Sequence, residues 1–215
     1  MSRLQHLADE ICAGAEVYFT GREGGQYIKT AFILCDDYTE LASKLFLTEG
    51  DPGWTETRPN GRFKSYHEVL GDVTSVCPGA TDLCALMRER RERRNAFFHS
   101  AQLLDLSITS RMCVEAFCDL FTYCDQLFDG SWKDCVASAR NLEIFELLFR
   151  IERHAYSDPQ LNSKVKNLIR RVPRTNFSSS RQGIQVAEFP EDLHLRLPVI
   201  NGGRALRDAL AALLG

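Results

Sequence analysis

Residues 106–128 read LSITSRMCVEAFCDLFTYCDQLF and carry the strongest periodic signal in the chain. Cys113, Ala116, Phe117, Leu120, Phe121, Cys124, Leu127 and Phe128 recur every third or fourth residue, which places them on one wide stripe of an α-helix. A helix with so broad an apolar face needs partners on that side, so it is expected to be the central helix of an α-bundle.

The same period appears on either side of this helix. Over 4–19 the apolar positions are Leu4, Leu7, Ala8, Ile11, Ala15 and Tyr18, and the pattern stops near Gly21 and Gly24-Gly25. Over 27–47, Ile28, Ala31, Phe32, Cys35, Ala42, Leu45 and Phe46 form a second stripe, ended by Glu49-Gly50-Asp51-Pro52-Gly53, and the short connection predicts an antiparallel pair. Residues 49–66, with Pro52, Gly53, Pro59, Asn60 and Gly61, read as a long loop. A short helix is expected over 66–76, then a break at Pro78-Gly79, with Thr81 capping a helix that begins at Asp82. Beyond the central helix, 132–154 and 161–172 read as two more helices, divided by Ser157-Asp158-Pro159.

The expected fold is therefore all-α, an antiparallel helical bundle over 1–174, followed by a linker and C-terminal extension over 175–215. That extension contains Ser178-Ser179-Ser180, two stretches (185–189 and 193–197) suited to a small β-hairpin, and a short amphipathic helix over 204–214 able to dock on the bundle or a partner. No internal repeat is visible.

Composition narrows the function classes. Across 215 residues, 44% hydrophobic and 26% charged residues describe an ordinary globular chain with no apolar run long enough to span a bilayer. Asp9, Glu10 and Glu16 interrupt the N-terminal apolar residues, so no signal peptide is expected and a cytoplasmic location is. The eight cysteines lie mostly in apolar helical stretches without Cys-x-x-Cys spacing, which predicts buried thiols and neither disulfides nor a zinc site. A net charge of −3 argues against indiscriminate coating of nucleic acid, but the charge is unevenly distributed. Fingerprints of phosphate-binding loops, dinucleotide folds and serine-nucleophile elbows are absent, so no cofactor is expected.

The basic block Arg88-Glu89-Arg90-Arg91-Glu92-Arg93-Arg94 leads into Arg94-Asn95-Ala96-Phe97-Phe98-His99, between a basic helix and the most apolar one. This segment resembles the signature of the HEPN superfamily of helical ribonuclease domains: Arg, a polar residue, three variable residues, then His. In kind, though less specifically, the resemblance covers about residues 3–172. It implies a metal-independent endoribonuclease of a bacterial toxin–antitoxin or antiviral defence system. It also implies a homodimer in which two motif copies share one cleft. Ala101 stands where HEPN toxins controlled by a nucleotidyltransferase antitoxin commonly carry a Tyr, so the resemblance does not extend to a partner of that type; another antitoxin or regulatory protein remains a candidate.

The chemistry open to these residues is attack of an RNA 2′-hydroxyl on the adjacent phosphorus with departure of the 5′-oxygen. A histidine with an ordinary pKa of about 6.5 suits His99 to general acid or base work. Arg94 would stabilise the phosphorane, and Asn95 would orient His99 or a phosphate oxygen. Positions 94 and 99 diverge by about 140° on a regular helix. Both can therefore address one phosphate only if the helix bends or if two chains contribute across a two-fold axis.

Arg88, Arg90, Arg91 and Arg93 are candidate RNA-binding residues, a phosphate-tracking surface or alternatively a solvated helix face. A second cluster, Lys164, Lys166, Arg170, Arg171, Arg174 and Arg181, suits a helix C-terminus better than an RNA path. Arg62 and His67 repeat the motif spacing, but Phe63 follows the Arg and the segment starts in a loop. One of Asp36, Asp37 and Glu40 is expected to pair with an Arg of the basic helix, rather than the three binding a metal. The alternative functions are a non-catalytic helical RNA- or protein-binding module, or an adaptor acting through its C-terminal tail.

Overall fold

A computed structural model of the chain describes residues 2–21, 25–99 and 108–156. Among these it contains six α-helices and no strand: α1 (Arg3–Gly21), α2 (Gly25–Gly50), α3 (Tyr66–Val76), α4 (Thr81–His99), α5 (Ser110–Phe128) and α6 (Ala139–Ala155). The expected helix over 161–172, the small hairpin and the C-terminal amphipathic helix lie outside the described residues.

Four helices close a ring in which α1 packs on α2, α2 on α5, α5 on α6 and α6 on α1. The apolar stripes read from the sequence fill its interior, with Leu7, Ile11, Phe32, Phe117, Phe121, Phe145 and Phe149 all at or near zero exposure. Phe149 is the hub of the aromatic packing: Phe117 stacks on it at 4.5 Å between centroids, and Phe19 and Tyr18 lie against it at 4.7 and 5.3 Å.

The bundle is all-α as expected but is not antiparallel throughout. Gln5 donates to Ser138 and Tyr18 to Glu152, so position rises together along α1 and α6, and these two run parallel. The Ser43–Tyr123 hydrogen bond and the Phe46–Phe128 ring contact show the same for α2 and α5. The reason is the excursion through α3 and α4, which carries the chain back to the starting end of α2 before α5 begins. Two antiparallel hairpins, α1–α2 and α5–α6, thus lie side by side.

Some boundaries shift from expectation for local reasons. The loop between α2 and α3 folds back on itself through an antiparallel bridge between Thr57 and Phe63, turned by Gly61 at φ 77°. Ser65 and Glu68 then form a reciprocal capping box that starts α3. Thr81 does not cap α4; its hydroxyl donates to the Pro78 carbonyl at 2.7 Å, and a 3-10 turn over Pro78–Ala80 runs straight into the helix.

The single helix expected over 132–154 is two elements, a 3-10 turn (Gly130–Cys135) and α6. Asp129, at φ 64°, turns the chain, and Val136 is extended. The turn is pinned by Lys133, which reaches Asp125 at 2.8 Å and Glu146 at 2.6 Å, and by the Trp132 indole donating to Asp125.

Of the eight thiols, Cys35, Cys84, Cys113, Cys118 and Cys124 are buried as expected, Cys12 and Cys77 are half-buried, and Cys135 is exposed. Burial drives the Cys118 thiol up to about 12, so it stays protonated. No described helix is long and apolar enough to cross a membrane.

Candidate functional site

The site is built on α4, whose inner stripe changes character along its length. Cys84 and Met87, in line with Ala80 of the preceding 3-10 turn, present small or apolar groups to the bundle. One and two turns later the same stripe becomes Arg91 and Arg94. These cations find carboxylates on α2, where Asp36 and Glu40 share a face as an i,i+4 pair. The expected pairing between the acidic triplet and the basic helix is present.

Arg91 is the more firmly held. Its Nε lies 3.0 Å from Asp36 Oδ2, one Nη donates to Glu40, and its guanidinium carbon sits 4.0 Å from the Tyr66 ring centroid. The Nε–Oδ2 approach is out of line for a hydrogen bond, so that contact is coulombic. Glu40 continues the network to Lys44 at 3.0 Å, and Lys44 to Glu56 of the following loop at 3.2 Å.

Burial is the dominant influence on Asp36, raising its pKa to about 6 against the attraction of Arg91 and, more weakly, Arg94. For Glu40 the balance reverses. Burial raises it, but hydrogen bonds from Lys44 and Arg91 outweigh this and hold it below its ordinary value.

Arg94 is held differently. Its Nε is 3.8 Å from Asp36 Oδ2, one Nη is 3.5 Å from Asp37 Oδ1, and the other donates to the Asn95 side-chain oxygen at 3.4 Å. These distances exceed the ~2.7–2.9 Å of tight charge-assisted bonds. The Arg94 side chain is 24% exposed, against 11% for Arg91, and Asn95 is exposed. His99 is the last residue of α4.

The motif therefore lies within the last turns of α4 rather than between two helices, and the helix runs unbroken from Thr81 to His99. On a regular helix, positions five residues apart are separated by about 140° around the axis.

The basic block divides between inside and outside. Arg90 pairs with Asp119 of α5, and Arg91 with α2. Arg93 is exposed and pairs with Glu89 one turn back, while Arg88 is half-buried. Arg62 lies exposed in the loop and His67 exposed near the start of α3. Tyr66 and Asp119 belong to the site's support and were not singled out from sequence. Nothing local marks Asp119, whereas Ser65-Tyr66-His67-Glu68 is a capping-box pattern that places Tyr66 at a helix start.

Among the described residues no group of three or more His, Cys, Asp or Glu side chains could hold a metal ion. No protein-family model matches this chain, and comparison with curated proteins and with solved structures found no match either.

Proposed function

We propose that this protein is a metal-independent endoribonuclease of the HEPN type that cleaves RNA by attack of the 2′-hydroxyl, with Arg94, Asn95 and His99 as its reacting set. The observation that carries this proposal is the state of Arg94. It is a partly exposed guanidinium within reach of both Asp36 and Asp37, with an exposed Asn95 beside it and a histidine ending the same helix. A partly exposed guanidinium fork offers paired donors suited to a phosphate.

Positions 94 and 99 lie five residues apart on α4, about 140° around a regular helix, an arrangement that suits two chains better than one for addressing a single phosphate. The functional unit is accordingly a homodimer in which Arg94 of one copy works with His99 of the other across a two-fold axis. His99 moves the proton between the 2′-hydroxyl and the leaving 5′-oxygen, and Arg94 stabilises the phosphorane. A cytoplasmic role in bacterial toxin–antitoxin or antiviral defence, with an antitoxin or other regulator as partner, completes the proposal.

A non-catalytic RNA- or protein-binding module is the second reading. Its protein-binding form is favoured by the inward commitment of Arg90 and Arg91, which leaves a less cationic outer face than the sequence suggests. Incubation of wild-type and His99→Ala protein with total RNA in EDTA, beside 2′-deoxy oligonucleotides, separates the two. The enzyme gives cleavage by wild type alone, confined to RNA and leaving 2′,3′-cyclic phosphate ends. Absence of cleavage selects the module.

A further inference from the structure

We propose that Asp37 is a built-in competitor for the Arg94 guanidinium, a carboxylate that an RNA phosphate must displace before Arg94 can act; this rests on the ribonuclease proposal above. The two neighbouring acids of α2 treat Arg94 differently. Asp36 is 3% exposed, lies inside and is already matched to Arg91 at 3.0 Å, so it anchors the pair of arginines from below. Asp37 is 48% exposed and approaches one Nη of Arg94 at 3.5 Å. It therefore stands on the solvent side of the guanidinium, the side from which a phosphate would arrive.

The chemistry of exchange follows from that geometry. A carboxylate and a phosphate offer the same kind of paired oxygen acceptors to a guanidinium fork, so they compete for one set of donors. The Asp37 contact is long and solvated, which makes it weak and salt-sensitive, and a polyanion can replace it readily. A single small anion gains little over the resident carboxylate, whereas an RNA strand brings neighbouring phosphates that also interact with the protein. Asp37 thus raises the threshold for occupation of Arg94 and favours long RNA over free phosphate or mononucleotides.

The test is binding of an uncleavable 2′-O-methyl RNA oligonucleotide, followed by fluorescence anisotropy at low salt, to full-length wild type, Asp37→Asn, Arg94→Ala and the double variant. Removing an exposed competing charge should tighten binding about threefold to fivefold, and the gain should vanish in the Arg94→Ala background. An equal gain in both backgrounds would reduce the effect to general charge relief and overturn the proposal, as would no gain or no binding by any variant. Parallel cleavage assays keep the two proposals apart. An Arg94-dependent gain without cleavage by wild type sinks the ribonuclease and leaves the competitor standing; cleavage without the gain does the reverse.

Discussion

Replacing Arg91 with Met should destabilise the fold by about 3 kcal/mol near neutral pH, because it strands a buried carboxylate. At 3.0 Å and an effective dielectric of about 20, the Arg91–Asp36 attraction is on the order of 5 kcal/mol. Burial opposes it. A pKa lifted from 3.8 to about 6 means that the charged form of Asp36 is disfavoured by about 3 kcal/mol even with both arginines present. Without Arg91, the ion-pair contact left to the Asp36 carboxylate among the described residues is the more distant Arg94 at 3.8 Å.

Asp36→Asn removes the ill-solvated charge and leaves Arg91 paired to Glu40, so its cost should stay within about 1 kcal/mol. The double variant should likewise return to within about 1 kcal/mol of wild type. Urea unfolding with linear extrapolation measures all four proteins, at about pH 7 and about pH 5. At the lower pH the Arg91→Met penalty should shrink, since loss of Arg91 pushes Asp36 further up and the group becomes neutral. Additive single and double effects, or equal penalties at both pH values, would refute the reasoning.

Other consequences are equally direct. A Cβ on Gly14 would meet Tyr38 Cε2 at 2.5 Å across the α1–α2 contact, so Gly14→Ala should cost about 1–3 kcal/mol in thermal or urea unfolding. Glu16, with one buried oxygen lacking a hydrogen-bond partner among the described residues, is raised by burial to about 7, and Asp36 to about 6. For both, the folded pKa exceeds the unfolded one. Their stabilising contribution is thus complete below pH values of 4.5 and 3.8 and is lost as pH rises through about 7 and 6. Melting curves should show Tm falling across that window, and Glu16→Gln with Asp36→Asn should flatten the slope. Lys133→Met leaves Asp125 and Glu146 facing each other, and should cost about 3 kcal/mol and loosen the 3-10 turn, seen as faster hydrogen exchange over Gly130–Cys135. Arg94→Ala and His99→Ala should each abolish RNA cleavage with little change in helical circular dichroism.

The helices were legible where one apolar face dominates. α1, α2, α3 and α5 appear close to the bounds that periodicity assigns them, because their stripes meet one continuous core. Where a polar contact decides, the pattern misleads. The break between Trp132 and Ala139 depends on a lysine whose carboxylate partners lie 8 and 13 positions away, and no window of hydropathy registers that. The parallel course of α1 and α6 is likewise set by a long-range return of the chain rather than by either helix.

At the candidate site, spacing and residue type are what single out Arg94, Asn95 and His99. The likeness among the block's arginines concealed that Arg90 and Arg91 face inward while Arg93 faces out, a distinction that needs the partners Asp119 and Asp36. Charge in a sequence does not say which way it points.

The parallel pairing of α1 with α6 also bears on synthesis of the chain. The α1–α2 hairpin can form as soon as it leaves the ribosome, but Phe19 and Tyr18 gain Phe145, Phe149 and Glu152 only when α6 emerges. Roughly ninety residues separate the end of α2 from the start of α6, a delay of about 5–20 s at ordinary elongation rates. During that interval the aromatic face that α6 later covers stays open to solvent, and slower translation of residues 51–138 would lengthen that exposure.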